Sequence, residues 1–130
     1  MSIKSYFFIF ALLIILGLIS SACSSDAGAA PTATLNPRQA EGKQVFNAHC
    51  ATCHALVRNT VIVGPSLYGI ATRAAERMPG VGAEEYIEMS ILEPDAYVVD
   101  GFQNVMIKNL SMQLTSEDLD AVVAFLMTLK

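Results

Sequence analysis

Residues 50–54 read Cys50-Ala51-Thr52-Cys53-His54 and carry the strongest chemical signal in the chain. The pattern C-x-x-C-H is the attachment signal of a c-type haem. Two thiols three residues apart lie about one helical turn apart, so both can bond the two vinyl groups of one porphyrin. The histidine that follows can then bind the iron. The motif predicts one covalent haem c attached through Cys50 and Cys53, with His54 as an axial ligand.

Two other kinds of site use cysteines at this spacing. A zinc site needs four N or S ligands around the ion, usually in two pairs that the fold brings together. Apart from Cys23, every cysteine and histidine of the chain lies between His49 and His54, and neighbours on one turn cannot surround an ion. A thioredoxin-like dithiol needs a preceding strand, whereas the preceding segment has a helical pattern. Haem attachment is therefore favoured over both.

The N-terminus has the pattern of an export signal. Lys4 precedes an apolar run over 6–19, which is short for a bilayer span but typical of the hydrophobic part of a signal peptide. Small residues then lead into Cys23 and resemble the lipobox of bacterial lipoproteins, although Ser20 stands where leucine is usual. We expect a lipoprotein-type signal peptide over 1–22 and a lipidated Cys23. Ordinary cleavage nearby and an uncleaved anchoring helix are the alternatives.

The segment that follows predicts a tether rather than a folded element. Residues 23–35 are rich in Ala, Ser, Thr, Gly and Pro without apolar periodicity, as in flexible linkers. We expect the folded domain over 36–130, held by the lipid anchor at the extracytoplasmic face of a bacterial membrane. Assigning Cys50 and Cys53 to haem and Cys23 to lipid leaves no free thiol among the three cysteines.

The charge balance restricts the choice of partner. From Cys23 onward the chain has seven basic and twelve acidic side chains, a formal net charge of −5. This balance argues against nucleic acid, which requires a basic patch. It favours protein partners with positive docking faces, and such an attraction weakens with salt.

The first helix of the domain is predicted over 37–48. Asn36 is a suitable N-cap, and Pro37 fits the first helical position. Gly42 and Phe46 lie four residues apart and share a face of this helix. Because glycine within a helix costs up to about 1 kcal/mol relative to alanine, we expect another helix to approach closely at Gly42.

Two more helices are predicted beyond the motif. Residues 83–92 form one, which ends before Pro94, and 95–114 form a loop without strong periodicity. The last helix begins at Thr115, an N-cap residue followed by acidic residues. Its apolar positions recur at helical spacing and comprise Leu119, Val122, Val123, Phe125, Leu126 and Leu129. No segment alternates like a strand, so the fold class is all-α.

From Pro37 to Lys130 the chain resembles the class I, mitochondrial-type cytochromes c. The features follow the order of that family: Gly42-x-x-x-Phe46, the haem motif, Gly64-Pro65-Ser66-Leu67-x-Gly69, a middle helix, a methionine loop and a C-terminal helix. The resemblance implies a small all-α fold whose N- and C-terminal helices cross, with helices and loops wrapped around one covalent haem. It places Gly42 at the crossing, beneath Phe125.

The resemblance also implies roles for single residues. His54 would be the proximal iron ligand, and the Pro65 carbonyl would accept a hydrogen bond from the other nitrogen of its ring, which fixes the ring orientation. Arg73 stands where family members often have an arginine near a haem propionate. Met106 would be the distal ligand, with Met112 as the reserve candidate. Family members typically have proline after this methionine, whereas this chain has isoleucine.

The function that this family implies is one-electron transfer and not enzymatic catalysis. We expect a membrane-tethered carrier or subunit of a respiratory or photosynthetic chain, with redox protein partners such as a quinol-oxidising complex, a terminal oxidase or a reaction centre. Two alternatives stay open. The protein could be a ligand-binding or peroxidase-like haem protein with a labile distal methionine, or a structural haem subunit of a larger redox complex.

Overall fold

The computed structural model describes residues 34–130. The expected signal peptide over 1–22, the expected lipidation at Cys23 and nearly all of the expected tether over 23–35 lie outside the described residues. These three assignments therefore stay predictions.

Between residues 34 and 130, four α-helices account for the regular structure: α1 (Pro37–His49), α2 (Ile70–Arg73), α3 (Ala83–Leu92) and α4 (Ser116–Leu126). Two 3-10 helices, Ala74–Glu76 and Leu110–Met112, lie in the connections. Within residues 34–130 there is no strand, only an isolated antiparallel bridge between His54 and Val61. The predicted all-α class is confirmed.

Helix α1 begins at the predicted cap. The Asn36 side-chain oxygen accepts a hydrogen bond from the Gln39 N–H at 2.9 Å, and the Gln39 side-chain oxygen accepts one from the Asn36 N–H at 3.0 Å. This reciprocal pair satisfies N–H groups that have no partner inside the helix. Pro37, at the first helical position, has no N–H to satisfy. The helix ends at His49, one residue later than predicted.

Helix α4 also begins at its predicted cap. The Thr115 hydroxyl accepts from the Asp118 N–H at 3.1 Å, and the Asp118 carboxylate accepts from the Thr115 N–H at 3.0 Å. The Thr115 N–H, and secondarily the Thr115 hydroxyl, which donates to the same carboxylate at 2.9 Å, hold the pKa of Asp118 below its usual range. Since the ionised carboxylate is the acceptor, the cap is complete at neutral pH and weakens when acid protonates Asp118.

Helices α1 and α4 cross in direct contact at Gly42. A Cβ at this position would overlap the carbonyl oxygen of Ala121 and lie 2.9 Å from the Phe125 Cβ. Glycine therefore lets the α4 backbone approach more closely than any side chain would. The rings of Phe46 and Phe125 pack at 5.8 Å between centroids, with 53° between their planes. The predicted crossing is confirmed, and the nearest contact is the Ala121 backbone rather than the Phe125 side chain.

Helix α3 and the loop that follows it complete the domain. The bounds of α3 match the prediction, and Tyr86 packs edge-on against Tyr97 at 5.7 Å between ring centroids. The loop beyond α3 contains the 3-10 helix Leu110–Met112, whose Leu110 is buried. This 3-10 helix and the four-residue α2 were not predicted, because elements this short have too few residues to show a period.

The core is continuous across the helices. Its buried hydrophobic members are Val45, Phe46, Ile70, Ala74, Tyr86, Ile87, Ile91, Leu110, Ala121, Val122, Val123, Phe125 and Leu126. Among the helices of residues 34–130, none is long and apolar enough to cross a membrane.

Candidate haem site

The C-x-x-C-H motif continues from the end of α1 as one tight turn. The N–H groups of Cys53 and His54 both donate to the Cys50 carbonyl, at 3.0 and 2.9 Å. This turn places all three residues on the lining of one cleft. Both cysteines are half-buried free thiols. The motif thus presents two thiols and an imidazole to the same space.

The thiol of Cys50 is poorly suited to act as a thiolate. Burial, and secondarily the neighbouring Cys53, raise the pKa of Cys50 to about 11. The thiol is therefore protonated at neutral pH, whereas redox-active and metal-binding cysteines react as thiolates. This environment argues against the dithiol alternative and is compatible with thioether attachment.

The ring of His54 is fixed by a hydrogen bond to the loop that contains Pro65. Its Nδ1 lies 2.8 Å from the Pro65 carbonyl oxygen. Because the carbonyl can only accept, Nδ1 carries the proton, and Nε2 is left with a free lone pair. The hydrogen bond that the resemblance implied is present, and it selects the tautomer that can bind a metal through Nε2.

Gly64 provides space beside the same ring. A Cβ at Gly64 would overlap His54 Cε1 and lie 2.9 Å from both ring nitrogens. The N–H of Gly64 donates to the Cys53 carbonyl at 2.9 Å, which ties this loop to the motif. The requirement for glycine here was missed at the sequence level, although the pair Gly64-Pro65 indicated a loop.

The cleft itself is apolar and has a volume of about 170 Å³. One water needs only about 10–15 Å³ by a comparable measure, so the space suits a much larger group. Its walls come mainly from α3 and the following loop, and include Tyr86, Ile87, Ile91, Tyr97, Val98, Val99 and Phe102. Among the described residues, none of those on the lining is an Asp, Glu, Lys or Arg. An uncharged apolar cleft of this kind is typical of cofactor sites.

The structure separates the two methionine candidates. Met106 is half-buried and lines the cleft with the motif residues. Met112 is 83 % exposed and does not line the cleft. Of these two methionines, Met106 alone could therefore reach a group bound in the cleft. Ile107, which stands where the family typically has proline, is also on the lining.

Arg73 has a defined role in the loop that carries Pro65. Its Nη2 donates to the carbonyls of Ser66 and Tyr68, at 2.8 and 2.7 Å. The side chain thus braces the residues that follow Pro65. Arg73 is not among the residues that line the cleft, and its expected contact with a haem propionate stays a prediction.

A second set of interactions that stabilises this loop was not predicted. Arg58 donates to the Tyr68 hydroxyl at 3.2 Å and places its guanidinium carbon 4.6 Å from the centre of that ring. This hydrogen bond lowers the pKa of Tyr68, and the positive charge of Arg58 is the second cause of the shift. The Ser66 hydroxyl donates to the Val57 carbonyl at 2.7 Å. Arg58 and Tyr68 are ten positions apart, so no local sequence pattern indicates this pairing.

These residues fit a covalently attached haem. The two thiols lie on one turn, Nε2 of His54 is the free ring nitrogen, and a thioether lines the same uncharged cleft. Gly64 provides the room that the imidazole needs. Within residues 34–130 no cluster of three or more His, Cys, Asp or Glu could hold a metal ion, so the zinc alternative gains no support from this part of the chain.

Comparisons with known proteins agree with this geometry. The family model described as Cytochrome c matches residues 39–130. Cytochrome c2 of Rhodopila globiformis is 40 % identical over 45 residues, which are 35 % of this chain and 42 % of that protein. The match thus spans less than half the length of this curated relative.

Proposed function

The chain belongs to the cytochrome c family, and from that premise we propose that it carries single electrons through one covalent haem c and catalyses no reaction of its own. The observation that supports this proposal most directly is the shared lining of one uncharged cleft by the C-x-x-C-H turn and Met106. The family assignment implies the haem, and the electron-transfer role is general to the family.

The chain's own residues define what the site can do. Cys50 and Cys53 would hold the group through two thioether bonds, and His54 Nε2 and the Met106 sulfur would bind its iron. When bound, the haem supplies an iron centre that gains and loses one electron, and a thioether ligand raises its potential. If His54 and Met106 both bind the iron, no position on it is left for a substrate. The apolar cleft walls exclude water from the centre.

Replacing Met106 with alanine tests this function. The oxidised wild-type protein is expected to show the weak sulfur-to-ferric charge-transfer band, and its reduced form should not bind carbon monoxide at neutral pH. In Met106→Ala the band should disappear and carbon monoxide should bind, because an axial position opens. Met112→Ala is the matched control and should behave as wild type, since this side chain is exposed and lies off the cleft.

Each other outcome of these measurements supports a different alternative. Carbon monoxide binding by the wild-type protein would support the ligand-binding alternative. A band that survives in Met106→Ala and is lost in Met112→Ala would transfer the ligand role to Met112. A protein with the band but without reversible oxidation in solution would support a purely structural haem.

We also propose that the domain is tethered to the extracytoplasmic face of a bacterial membrane through lipid on Cys23. The support is the sequence alone: the short apolar run over 6–19 and the small residues before the cysteine. A tether confines the domain near membrane-bound partners and raises their effective concentration. We infer that these partners are a quinol-oxidising complex on one side and a terminal oxidase or reaction centre on the other.

The anchor is tested by Cys23→Ala in the full chain. The wild-type protein should fractionate with membranes and show the mass of a diacylated N-terminus, whereas Cys23→Ala should be released into the soluble extracytoplasmic fraction. Ser25→Ala is the control and should stay with membranes. A Cys23→Ala protein that remains fully membrane-bound would indicate an uncleaved helix over 6–19 as the anchor instead.

A further inference from the structure

The loop over 95–108 carries Met106 and forms much of the cleft wall. It contains no helix and no strand, so only side chains and isolated backbone hydrogen bonds can fix its path. Its members on the cleft lining are Tyr97, Val98, Val99, Phe102, Gln103, Asn104, Val105, Met106 and Ile107. The contacts that hold this loop therefore decide where Met106 lies.

Few hydrogen bonds hold the Met106 loop. The Phe102 N–H donates to the Val99 carbonyl at 3.0 Å, and the Val105 N–H donates to the Gln103 carbonyl at 3.0 Å. Both bonds lie inside the loop, so neither ties it to the rest of the domain. Within residues 34–130, a single hydrogen bond joins the end of the loop near Met106 to the segment that follows α3, and it is made by two charged side chains.

Asp95 and Lys108 form this connection as an ion pair between the two ends of the loop. The Lys108 Nζ donates to the Asp95 carboxylate at 2.7 Å. This hydrogen bond is the largest cause that lowers the pKa of Asp95, so the carboxylate is ionised at neutral pH. The Ala96 N–H donates to the Glu93 carbonyl at 2.8 Å and closes a turn around Asp95. Asp95 is thus a fixed point, and Lys108 stands two residues from Met106 along the chain.

The loop on the His54 side is held in a different way. The Pro65 carbonyl accepts from His54, and the Leu67 N–H donates at 2.8 Å to the backbone carbonyl that follows His54. Arg73 donates to two further carbonyls of this loop, at 2.8 and 2.7 Å. Several hydrogen bonds therefore fix the His54 side, whereas one ion pair closes the Met106 side. Loss of that pair should act on Met106 and leave His54 in place.

We propose that Asp95 and Lys108 are positioning residues that hold the Met106 loop closed over the haem cleft. This inference rests on the proposed function, since it takes Met106 as a ligand of the haem iron. Neither Asp95 nor Lys108 lies on the cleft lining, so the pair acts through the loop and not on a group in the cleft. The pair sets the fraction of molecules in which the loop is open.

The expected effect is modest because the pair is exposed. The side chains of Lys108 and Asp95 are 62 and 48 % exposed, and pairs of this kind shift an equilibrium by up to about fivefold. Opening of the loop should respond to most of this energy, because no other hydrogen bond among the described residues joins its two ends. We expect loss of the pair to increase the open fraction about three- to fivefold.

Imidazole binding to the ferric full-length holoprotein measures the open fraction. Imidazole can bind the iron only after Met106 has left it, so its apparent affinity is proportional to that fraction. The titration follows loss of the sulfur-to-ferric band at mildly alkaline pH, where imidazole is neutral. Asp95→Ala and Lys108→Leu should each raise the affinity about three- to fivefold. High salt should raise the affinity of the wild type and leave that of both variants unchanged.

The opposite charges of the two residues separate loop closure from a general electrostatic effect. Asp95→Ala removes a negative charge and Lys108→Leu removes a positive one, yet both break the same pair. Asp100→Ala is the matched control, because Asp100 is an exposed residue of the same loop that forms no ion pair within residues 34–130. It should match the wild type. Opposite changes in the two variants, or an equal increase in Asp100→Ala, would overturn the proposal.

A double-mutant cycle tests whether the two residues act through each other. The combined variant Asp95→Ala/Lys108→Leu should bind imidazole no more tightly than either single variant, because each single change already removes the whole pair. Increases that multiply in the combined variant would mean that the residues act independently, and the proposal would be wrong.

The same measurements separate this proposal from the function on which it rests. A wild-type protein without the sulfur-to-ferric band would contradict Met106 as a ligand and overturn both. A wild-type band with unchanged imidazole affinity in both single variants would overturn the positioning role alone. Guanidinium unfolding of these variants identifies a merely structural pair: stability would fall while imidazole affinity stayed at the wild-type value, and this result would also overturn the positioning role.

Discussion

Gly42→Ala is expected to destabilise the folded protein by about 3 kcal/mol, although alanine favours a helix over glycine by about 1 kcal/mol. The added Cβ would overlap the Ala121 carbonyl and press on the Phe125 Cβ. The obstructing atoms include the α4 backbone, which cannot rotate out of the way as a side-chain end could. The two helices would have to separate, and the packing of Phe46 against Phe125 would loosen with them.

Guanidinium unfolding of the oxidised holoprotein, followed by far-ultraviolet circular dichroism, measures this effect. Gly82→Ala is the control, because a Cβ there has nothing within 4 Å and the backbone has an ordinary φ of −72°. Its cost should stay below about 1 kcal/mol, the loss of a weak N-cap preference. Stability of Gly42→Ala equal to wild type would mean that α1 and α4 do not touch at this residue.

The parts of the fold that the sequence predicted are those with local causes. The cap at Asn36 is a hydrogen bond between residues three apart, and so is the cap at Thr115. The C-x-x-C-H turn is likewise local, which is why the motif indicates its ligand chemistry without a structure. The close approach of a second helix at Gly42 could be predicted because a glycine within a helix needs a compensating contact.

The cleft walls could not be predicted in the same way. Tyr97 and Phe102 lie in a loop without periodicity, and only the folded chain brings them opposite the motif turn. The preference for Met106 over Met112 came from family resemblance, whereas the structure gives a physical reason, the exposure of Met112. Burial of a loop residue depends on contacts far along the chain, which no local pattern records.

Net charge was the least informative sequence feature about the site. An acidic composition favoured partners with positive faces, and this stays a prediction, since the described lining of the cleft contains no Asp, Glu, Lys or Arg that could indicate a partner's charge. Composition sums charges over the whole surface, whereas docking depends on the few side chains at one face. The exposed aliphatic residues Val61, Ile62 and Val63 were visible in the sequence, yet nothing local distinguished them from a buried strand.

Gly64→Ala is expected to have the second large effect, and this one acts on His54, the proposed iron ligand. The new Cβ would overlap His54 Cε1 and lie 2.9 Å from both ring nitrogens. The ring cannot move away without lengthening its 2.8 Å bond to the Pro65 carbonyl. Either the loop or the imidazole must shift, and we expect a loss of about 2 kcal/mol in the free energy of unfolding.

Two readouts distinguish a displaced ligand from general destabilisation. Guanidinium unfolding gives the stability, and low-temperature electron paramagnetic resonance of the ferric protein reports the axial ligand orientation. Gly64→Ala should change both. Pro65→Ala is the matched control, since it keeps the backbone carbonyl that His54 needs. It should cost less than about 1 kcal/mol through greater freedom of the unfolded chain, and the resonance spectrum should stay unchanged.

The comparison of these two variants decides what holds the histidine. If Gly64→Ala changes the spectrum and Pro65→Ala does not, the ring orientation depends on the space at Gly64 and on the Pro65 carbonyl, not on the proline ring. A changed spectrum in Pro65→Ala alone would mean that loop rigidity sets the orientation. An unchanged spectrum and wild-type stability in Gly64→Ala would contradict the close contact between Gly64 and His54, and with it the steric reason for glycine beside the proposed iron ligand.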